Sequence, residues 1–370
     1  MPNTIPADSP ACLGVVIVTY NSADVVLACL ETLLASSDVA LRIAIVDNAS
    51  QDGTPDVIRD WAEGAVSTPL TDLPFPASAV QKPVTLHSDF AGDLDPQSHA
   101  VTLVQTGANL GFAGGVNRGL AVLAGLAQLD RFWVLNPDSV VPPQTAAAIA
   151  GYTPPGGVFS LMGGRVLYLD NPAMIQIDGG TIARRTGITG NMGLYAFHAD
   201  TPPSDPAAMD FITGASMVAS RAFYEAVGPM REDYFLYYEE VDWALRRGDL
   251  PLAYCAEALV YHHGGSAIGS ATHNRPASPF ALYFKHRARM LFLRRFFPAS
   301  VITAHVWSLA KAAQFASKGF RSEARALLAG AFGRLPPETV RKQLSATTLS
   351  QIFGKAFPAA DTTEHTDKSP

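Results

Sequence analysis

Residues 132–139 read FWVLNPDS, and this stretch decides the fold. Its first four residues are apolar, with aromatic and β-branched side chains, which predicts a buried strand. The strand should end at Asn136, because Pro137 has no N–H to donate to a sheet ladder. Asp138 then lies just beyond the carboxyl end of the strand, where ligands collect in open α/β sheets and a carboxylate can hold a cation or a ribose. Taken alone, this aspartate is more typical of a turn or a helix N-cap.

The chain around this strand alternates strands with helices. Apolar runs that predict strands occupy 14–19, 41–46 and 101–105, and helical periodicity follows each of them. This alternation indicates a mostly parallel sheet with helices on its faces, a Rossmann-like α/β fold. Shorter β-like runs at 159–169, 175–182 and 210–219 predict a mixed second half that forms the acceptor side of a cleft.

Three segments are expected from changes in composition. Residues 1–279 should form one catalytic domain, interrupted at 64–100 by a surface insertion with five prolines and little regular structure. Residues 280–345 should form a basic, helical C-terminal extension. Residues 346–370 are predicted to be a polar, disordered tail.

The composition is that of a globular protein from a reducing compartment. The 370 residues are 48% hydrophobic and 16% charged, which excludes a disordered chain. The three cysteines are scattered and odd in number, which argues against a disulfide framework or a zinc site. No signal peptide or membrane span is predicted, so a cytoplasmic location is expected.

The C-terminal extension concentrates positive charge. Residues 280–345 contain 12 Lys and Arg but only two acids, within a chain of net charge −6. A basic amphipathic helix is typical of a peripheral element on the inner face of a membrane. A helix packed on the catalytic domain with its charges in water explains the pattern equally well. No nucleic-acid reading motif accompanies the charge, so nucleic acid is not an expected partner.

Closely spaced glycines occur at 109–118, just before a helix. They allow a backbone to approach a phosphate at the helix N-terminus, although a glycine turn before a helix is a weak signal. A nicotinamide-dependent dehydrogenase would need a Gly-x-Gly-x-x-Gly motif after the first strand. Residues 19–22, which are Thr-Tyr-Asn-Ser, stand there instead.

A probable helix over 235–247 concentrates acidic residues at its start, which the helix dipole alone would favour. Glu239, Asp242 and Arg246 lie three and four residues apart, so they should share a face and form a salt-bridge cluster. Glu240 points away from that face. A carboxylate beside aromatics and other acids can have its pKa raised, as a general base requires, so Glu240 is the better catalytic candidate.

Two adjacent histidines, His262 and His263, follow a short apolar run. Neighbouring strand residues face opposite ways, so one of the two could be a metal ligand. An isolated pair of this kind is more often on the surface or hydrogen-bonded.

Taken together, these motifs resemble an inverting family 2 glycosyltransferase of the GT-A fold, in its rhamnosyltransferase-like branch. No single motif would suffice, but several occur in the family's order. They are Val18-Thr19-Tyr20-Asn21, Val46-Asp47-Asn48-Ala49-Ser50, Asn109 through Asn117, Leu135-Asn136-Pro137-Asp138, Phe235 through Asp242, and Tyr261-His262-His263-Gly264-Gly265.

The resemblance implies roles for individual residues. Contacts to the base and ribose of a nucleotide-sugar donor are implied for Thr19, Asn21, Asp47 and Asn48. The diphosphate region would be lined by residues 111–117, with Gly111, Gly114 and Asn117 as candidates. The metal ligands would be Asp138 and one of His262 or His263, and Glu240 would occupy the position of the catalytic base.

The implied chemistry is attack of an acceptor hydroxyl on the anomeric carbon of the sugar, with Mg²⁺ or Mn²⁺ at the departing diphosphate. The resemblance suggests dTDP-rhamnose as donor and a saccharide or lipid-linked saccharide as acceptor, in cell-surface polysaccharide synthesis. Two departures stand out. Many family members have Asp where this chain has Glu240, and Asn136 is a poor ligand for a hard cation, which bears on metal dependence.

Two other protein classes compete with this interpretation. A non-catalytic relative could bind a nucleotide or a membrane as a scaffold, but the carboxylates of Asp138 and Glu240 favour the enzyme. A nucleotidyltransferase would need a glycine-rich basic loop after the first strand, and residues 20–25 offer none.

Overall fold

A computed structural model describes residues 11–90, 95, 97–263 and 276–357 of the chain. A central sheet of ten strands dominates this part, with strand order β3-β4-β2-β1-β5-β11-β7-β12-β6 and with β8 on β7. The strands of the protein are β1 (Ala11–Thr19), β2 (Val39–Asp47), β3 (Leu86–His87), β4 (Ala100–Gln105), β5 (Arg131–Leu135), β6 (Ser139–Val140), β7 (Leu161–Tyr168), β8 (Ile175–Ile177), β9 (Gly180–Ala183), β10 (Ile188–Asn191), β11 (Ser216–Ser220) and β12 (Ala253–His262).

The sheet is mostly parallel. The strand β5 pairs with β1 in parallel, and β1 pairs with β2 in the same way. Three strands run against this direction: β11 lies between β5 and β7, β6 lies on β12, and β8 lies on β7. The antiparallel β11 accounts for the predicted mixed second half. β9 and β10 form a separate hairpin, so the run predicted at 175–182 is divided between two sheets.

Helices cover both faces of the sheet, because alternate residues of its strands point to opposite sides. Val15 and Ile17 of β1 belong to one hydrophobic core, and Val16 belongs to the other. The helices are α1 (Val26–Leu34), α2 (Thr54–Glu63), α3 (Gly111–Ala124), α4 (Thr145–Gly151), α5 (Arg221–Val227), α6 (Glu239–Leu245), α7 (Pro279–Phe296), α8 (Val301–Ser317), α9 (Arg321–Ala331), α10 (Glu338–Arg341) and α11 (Ala346–Phe353).

The predicted GT-A architecture is confirmed: a mostly parallel sheet is flanked by helices and followed by C-terminal helices. Side chains of α1, α2 and α4 belong to the core on one face of the sheet. Side chains of α3, α6 and α7 belong to the core on the other. The division of the chain at 279 stays a prediction.

The insertion at 64–100 is mostly irregular, as expected, but it is anchored to the domain. Its short strand β3 extends the sheet beside β4. The carboxylate of Glu31, which is buried in α1, accepts hydrogen bonds from the backbone of Val80, from Lys82 and from the indole of Trp61. The Lys82 ammonium also lies 3.5 Å from the Trp61 ring centroid. A charged pair therefore holds the insertion against α1 and α2.

The start of the predicted disordered tail is helical. Residues 346–353 form α11, and the Ser345 side chain caps it by accepting a hydrogen bond from the N–H of Thr348. The side chain of Phe353 packs on Tyr283 of α7. The prediction of disorder was therefore wrong for this turn, because an N-cap and an apolar contact outweigh the polar composition. The tail beyond 357 lies outside the described residues.

In the part of the chain that the structure describes, no helix has both the length and the apolar character that crossing a membrane requires.

Candidate active site

The carboxyl ends of the parallel strands meet at one edge of the sheet. Thr19 ends β1, Asp47 ends β2 and Leu135 ends β5, and these three strands are neighbours. Across the antiparallel β11, Tyr168 ends β7 beside His262, which ends β12. The edge therefore gathers most of the residues that the sequence marks as functional, although they are scattered along the chain.

Asp47 organises the part of this edge formed by β1 and β2. Its Oδ1 accepts hydrogen bonds from the Thr19 hydroxyl at 3.0 Å and from the Ser50 hydroxyl at 2.5 Å. Its Oδ2 accepts from the backbone N–H of Ser50 at 3.0 Å. Thr19 and Asp47 are both buried. The carboxylate is thus committed to shaping the turn over 47–50.

The exposed turn at Asn21 is tied to that same loop. The N–H of Asn21 donates to the Ser50 hydroxyl, and its side-chain oxygen accepts from the N–H of Gln51. Asn21 has a left-handed backbone, with φ of 52°. Such conformations are uncommon outside glycine, although asparagine tolerates them better than most residues. The two loops therefore form one rigid rim.

Asn48 connects this rim to the glycine-rich segment. Its amide donates to the carbonyl of Gly111 at 2.9 Å, while its own Oδ1 is buried with no partner in the described structure. Gly111 has φ of 75°, and a side chain there would lie 2.2 Å from the carbonyl oxygen of Phe235. That carbonyl accepts a hydrogen bond from the N–H of Phe112. Only glycine fits at this junction between α3 and the segment that leads from Phe235 into α6.

Gly114 and Asn117 of α3 both make contacts within the protein. A Cβ on Gly114 would meet the Leu110 side chain, so this glycine serves packing at the helix start. The Asn117 side chain exchanges two hydrogen bonds with the backbone of Met230 and donates a third to Glu232. Asn117 therefore clamps the segment before α6, and its amide is occupied by protein groups.

Asp138 and His262 converge although 124 positions separate them. His262 Nε2 lies 3.1 Å from Asp138 Oδ1 and 3.1 Å from Asn136 Nδ2. Its Nδ1 lies 2.8 Å from Gln176 Oε1. If Nδ1 carries the proton and donates it to Gln176, the Nε2 lone pair faces the Asp138 carboxylate. An imidazole nitrogen and a carboxylate oxygen 3.1 Å apart are close enough to bind one divalent cation that lies to one side of the line between them, and Gln176 holds the ring as an outer-shell partner does.

Of the two histidines, His262 is the one that joins Asp138 through its side chain. His263 meets Asp138 through its backbone, where its N–H donates to the Asp138 carbonyl. Among the described residues, no group of three or more His, Cys, Asp or Glu side chains is gathered around one point. The fit to a cation is therefore that of two protein ligands, as in sites completed by waters and substrate phosphates. Gly264 and Gly265 of the same motif lie outside the described residues.

The two glutamates at the start of α6 have different surroundings. Glu239 is buried, and its Oε2 has no hydrogen-bond partner in the described structure. Burial raises the pKa of Glu239 well above its ordinary value, and the charge of Glu240 raises it further. Glu240 is half-buried. Burial also raises the pKa of Glu240, while backbone N–H groups and the Lys285 ammonium lower it in part.

The predicted salt-bridge cluster forms without Glu239. Asp242 Oδ1 accepts from Arg246 at 2.8 Å, and Asp242 Oδ2 accepts from Arg231 at 3.0 Å and from the Tyr234 hydroxyl at 2.9 Å. Placing Glu239 in this cluster was wrong. Spacing predicts a shared face, but Arg246 at the end of α6 and Arg231 on the preceding loop both bond Asp242 and not Glu239.

The segment leading into α6 is held in an unusual backbone conformation. Phe235, Tyr237 and Tyr238 all have left-handed φ values, of 68°, 71° and 69°. Each such non-glycine residue costs on the order of 1 kcal/mol, and clusters of them mark functional sites. The Tyr238 hydroxyl donates to the Gly187 carbonyl, and Phe235 packs against Phe284 of α7. Long-range packing therefore fixes the position of Glu240.

Sequence reasoning missed Gln176 and Lys285 as members of the site. Gln176 lies in an apolar run, and only the pairing of β8 with β7 brings it to His262. Lys285 is one of many cations of α7. Its side chain is exposed to solvent. Desolvation by the protein around it lowers its pKa, while the charge of Glu240 raises it. No local signal distinguishes either residue.

Residues 14–71 match the model of glycosyl transferase family 2. They include the rim formed by Thr19, Asn21, Asp47 and Asn48, so the family resemblance found in the sequence is confirmed.

Two relatives and one solved structure extend the family comparison. An N-acetylglucosaminyl-diphospho-decaprenol L-rhamnosyltransferase of Mycobacterium tuberculosis is 26% identical over 310 residues, which cover 76% of this chain and 83% of that protein. The low-salt glycan biosynthesis hexosyltransferase Agl10 of Haloferax volcanii is 24% identical over 54% of this chain, and the alignment spans only 62% of that protein. A mannosyltransferase from Pyrobaculum calidifontis, solved with GDP-Man and Mn²⁺, is 15% identical with a TM-score of 0.47, over 95% of this chain and 86% of its own.

Proposed function

We propose that the chain is an inverting glycosyltransferase that moves a sugar from a nucleotide-diphosphate donor to an acceptor hydroxyl. The observation that carries the proposal is the placement of Glu240. It is a half-buried carboxylate of raised pKa at the start of α6, on a segment that the Phe235 carbonyl joins to the N–H of Phe112 at the start of α3. A carboxylate held in this way is suited to take a proton from a hydroxyl.

The donor nucleotide would bind at the rim formed by Thr19, Asn21, Asp47 and Asn48. Asn48 supports this assignment, because its buried Oδ1 lacks a protein partner and can accept a hydrogen bond from a base or a ribose. Asp47 would act by shaping the rim, since protein donors already bond both of its carboxylate oxygens. Gly111 lets the start of α3 lie close to the rim, where helix N–H groups favour a diphosphate.

A divalent cation would be held by Asp138 and His262, with Gln176 fixing the ring of the histidine. When bound, Mg²⁺ or Mn²⁺ would offset the negative charge of the departing nucleoside diphosphate. The contact between the Asn136 amide and His262 Nε2 would break when the cation binds, because the single lone pair of Nε2 cannot serve both.

Glu240 would take the proton of the attacking acceptor hydroxyl. Its carboxylate must be ionised for this step, and Lys285 keeps the ionised form accessible against the burial that disfavours it. Attack from the face opposite the nucleotide inverts the anomeric carbon.

The acceptor we propose is a lipid-linked saccharide, with dTDP-rhamnose as the first candidate donor. The Mycobacterium tuberculosis relative is an N-acetylglucosaminyl-diphospho-decaprenol L-rhamnosyltransferase, and it aligns with 76% of this chain. This choice places the chain in cell-surface polysaccharide synthesis.

Contact with the membrane surface would come from the C-terminal helices. The large apolar side chains of Ile302, Val306 and Leu309 on α8 are 77%, 62% and 51% exposed, and they recur at helical spacing. An apolar stripe on an otherwise polar protein is suited to lie in a lipid interface. The α7 cations are less available, because Arg287 and Arg295 bond Asp233 and Arg289 bonds Ser308.

Calorimetric titration with UDP, dTDP and GDP, each with and without Mn²⁺, tests the proposal. We expect one nucleotide to bind more tightly with the metal, and Asp138→Asn to remove that enhancement. Transfer from the matching nucleotide sugar to a prenyl-diphosphate N-acetylglucosamine acceptor then tests the reaction. A folded protein that binds none of the three nucleotides would refute the donor site.

A further inference from the structure

A cluster of exposed aromatic and apolar side chains lies near His262 and has no part in the functions assigned so far. Leu194, Tyr195 and Phe197 are 42%, 59% and 57% exposed. They follow β10 in a short loop. The Tyr195 ring stacks on Tyr168, with ring centroids 5.7 Å apart and planes within 6° of parallel. We call Tyr168, Tyr195 and Phe197 the aromatic platform.

Sheet register places the platform at the edge that carries the candidate active site. Tyr168 is the last residue of β7 and pairs directly with His262 of β12. Partners in register on adjacent strands point to the same face of a sheet. The side chain of Tyr168 therefore lies next to that of His262, the proposed metal ligand, one strand spacing of about 4.8 Å away.

Backbone hydrogen bonds fix the rest of the platform to the same region. The N–H of Tyr195 donates to the Ile175 carbonyl, and the N–H of Ile175 donates to the Ala196 carbonyl. A further bridge joins Phe197 to Met174. Gln176, the partner of His262, is the next residue along this strand. The platform and the histidine are thus held by neighbouring residues of β8.

Folding alone does not account for the platform. Tyr195 has a left-handed backbone, with φ of 63°, a conformation that disfavours large side chains. Here the strained residue also leaves most of its ring in water. Strain retained at an exposed aromatic residue beside a reactive centre is typical of a binding site.

We propose that the aromatic platform binds the terminal sugar ring of the acceptor by stacking. A pyranose ring presents a face of C–H bonds, and the negative face of an aromatic ring attracts such groups. The exposed carboxylate of Asp170 lies near the Tyr168 hydroxyl. Its oxygens can accept hydrogen bonds from the hydroxyls of a sugar that stacks on the platform. The platform lies beside the proposed cation site of Asp138 and His262. An acceptor sugar bound there would therefore be close to the anomeric carbon of the donor.

This inference rests on the proposed transfer reaction, but its test has a readout that does not need turnover. Saturation-transfer NMR with methyl N-acetyl-β-glucosaminide measures sugar contact directly. We expect saturation of the ring protons by the parent protein, loss of the signal in Tyr195→Ala and Phe197→Ala, and retention in Tyr195→Phe. Val158→Ala serves as the control, since Val158 is 55% exposed before the opposite end of β7.

Kinetics give the second readout. With a prenyl-diphosphate N-acetylglucosamine acceptor, Tyr195→Ala should raise the acceptor KM about 3-fold to 10-fold, the range expected for one lost aromatic contact. The Kd for the nucleotide should not change, because the platform lies outside the donor rim. Melting temperatures of all variants confirm that they are folded.

The outcomes separate this inference from the proposed function. If Tyr195→Ala abolishes saturation of the sugar but the parent protein shows no transfer activity, the platform is supported and the proposed reaction is refuted. If the enzyme is active and the acceptor KM is unchanged in both Tyr195→Ala and Phe197→Ala, the platform proposal is wrong. Saturation of geranyl phosphate in place of the sugar would also overturn it, because the platform would then bind the lipid portion.

Discussion

The side chains of Lys285 on α7 and Glu240 at the start of α6 act on each other through their charges, and each shifts the pKa of the other. The ammonium lowers the pKa of Glu240, and the carboxylate raises the pKa of Lys285. Burial acts against both charges and is the larger influence on each. Lys285 thus favours the ionised form of Glu240 against the burial that disfavours it, and a general base must be ionised to take a proton.

Replacement of Lys285 by Met should move the pH profile. The lysine lowers the pKa of Glu240, so its loss lets burial raise that pKa further. The acidic limb of kcat/KM should therefore shift to higher pH. Lys318→Met, which removes an exposed cation at the far end of α8, is the matched control. A profile identical to that of the parent would show that Lys285 does not influence the base.

Glu240→Gln should lower kcat by about 10²- to 10⁴-fold, the usual contribution of a general base, because the amide cannot take a proton. Nucleotide binding should be preserved, since the donor rim is built from other residues. Initial rates and calorimetry on the same preparation measure both quantities. Unchanged turnover would reject Glu240 as the base.

Glu239→Gln should stabilise the protein near neutral pH. The pKa of Glu239 is raised in the folded state, so the folded protein binds a proton that the unfolded chain releases above its ordinary pKa. Glu239 therefore costs stability as pH rises from that ordinary value through the folded pKa. The melting temperature of the variant should exceed that of the parent at pH 7 and match it near pH 4. Glu225→Gln, at a side chain that is 61% exposed, should show no such divergence.

Gln176→Ala should weaken Mn²⁺ binding by about 10- to 100-fold, as loss of an outer-shell partner does for other metal sites. The reason is that the His262 ring loses the contact at Nδ1 that orients Nε2 toward Asp138. Calorimetric titration with Mn²⁺ in the presence of the nucleotide measures the effect. Gln144→Ala, an exposed residue before α4, is the control. Equal affinity for Mn²⁺ in both variants would show that Gln176 does not support the metal site.

Glu31→Ala should release part of the insertion. It leaves the Lys82 ammonium and the Trp61 indole without the carboxylate that binds both. Limited proteolysis should then cut within 64–84 faster than in the parent, because local unfolding limits cleavage of an anchored loop. Asp56→Ala removes an exposed ion pair with Arg59 and should leave the rate unchanged. A parental cleavage pattern for Glu31→Ala would contradict the anchoring role.

Local pattern is enough to predict the sheet edge. Apolar runs that stop at Thr19, at Asp47 and before Pro137 correspond to strands that end where the sequence indicates. Because parallel strands share their carboxyl edge, these residues had to lie near one another. The same logic places Asp138 beside the end of β12, and the structure brings it to His262.

Contacts between distant segments could not be predicted in this way. Glu239 has the right spacing to join Asp242, yet no cation of the described residues pairs with it, and Arg231 and Arg246 bond Asp242. Asn117 lies in a glycine-rich segment typical of phosphate sites, yet its amide binds Met230. Such pairings depend on how loops pack on helices, and helical or strand periodicity carries no information about them.

The helix α7 has a consequence for how this enzyme scaffold can be divided. Arg287 donates to the Asp233 and Tyr234 carbonyls, and Phe284 supports the left-handed turn at Phe235. The extension thus braces the segment that carries Glu240, in addition to supplying Lys285. A shortened chain ending at residue 279 would keep every donor-side residue and lose the brace. We expect such a chain to bind the nucleotide but not to transfer the sugar. A chimaera that exchanges the segment carrying Glu240 must therefore include α7.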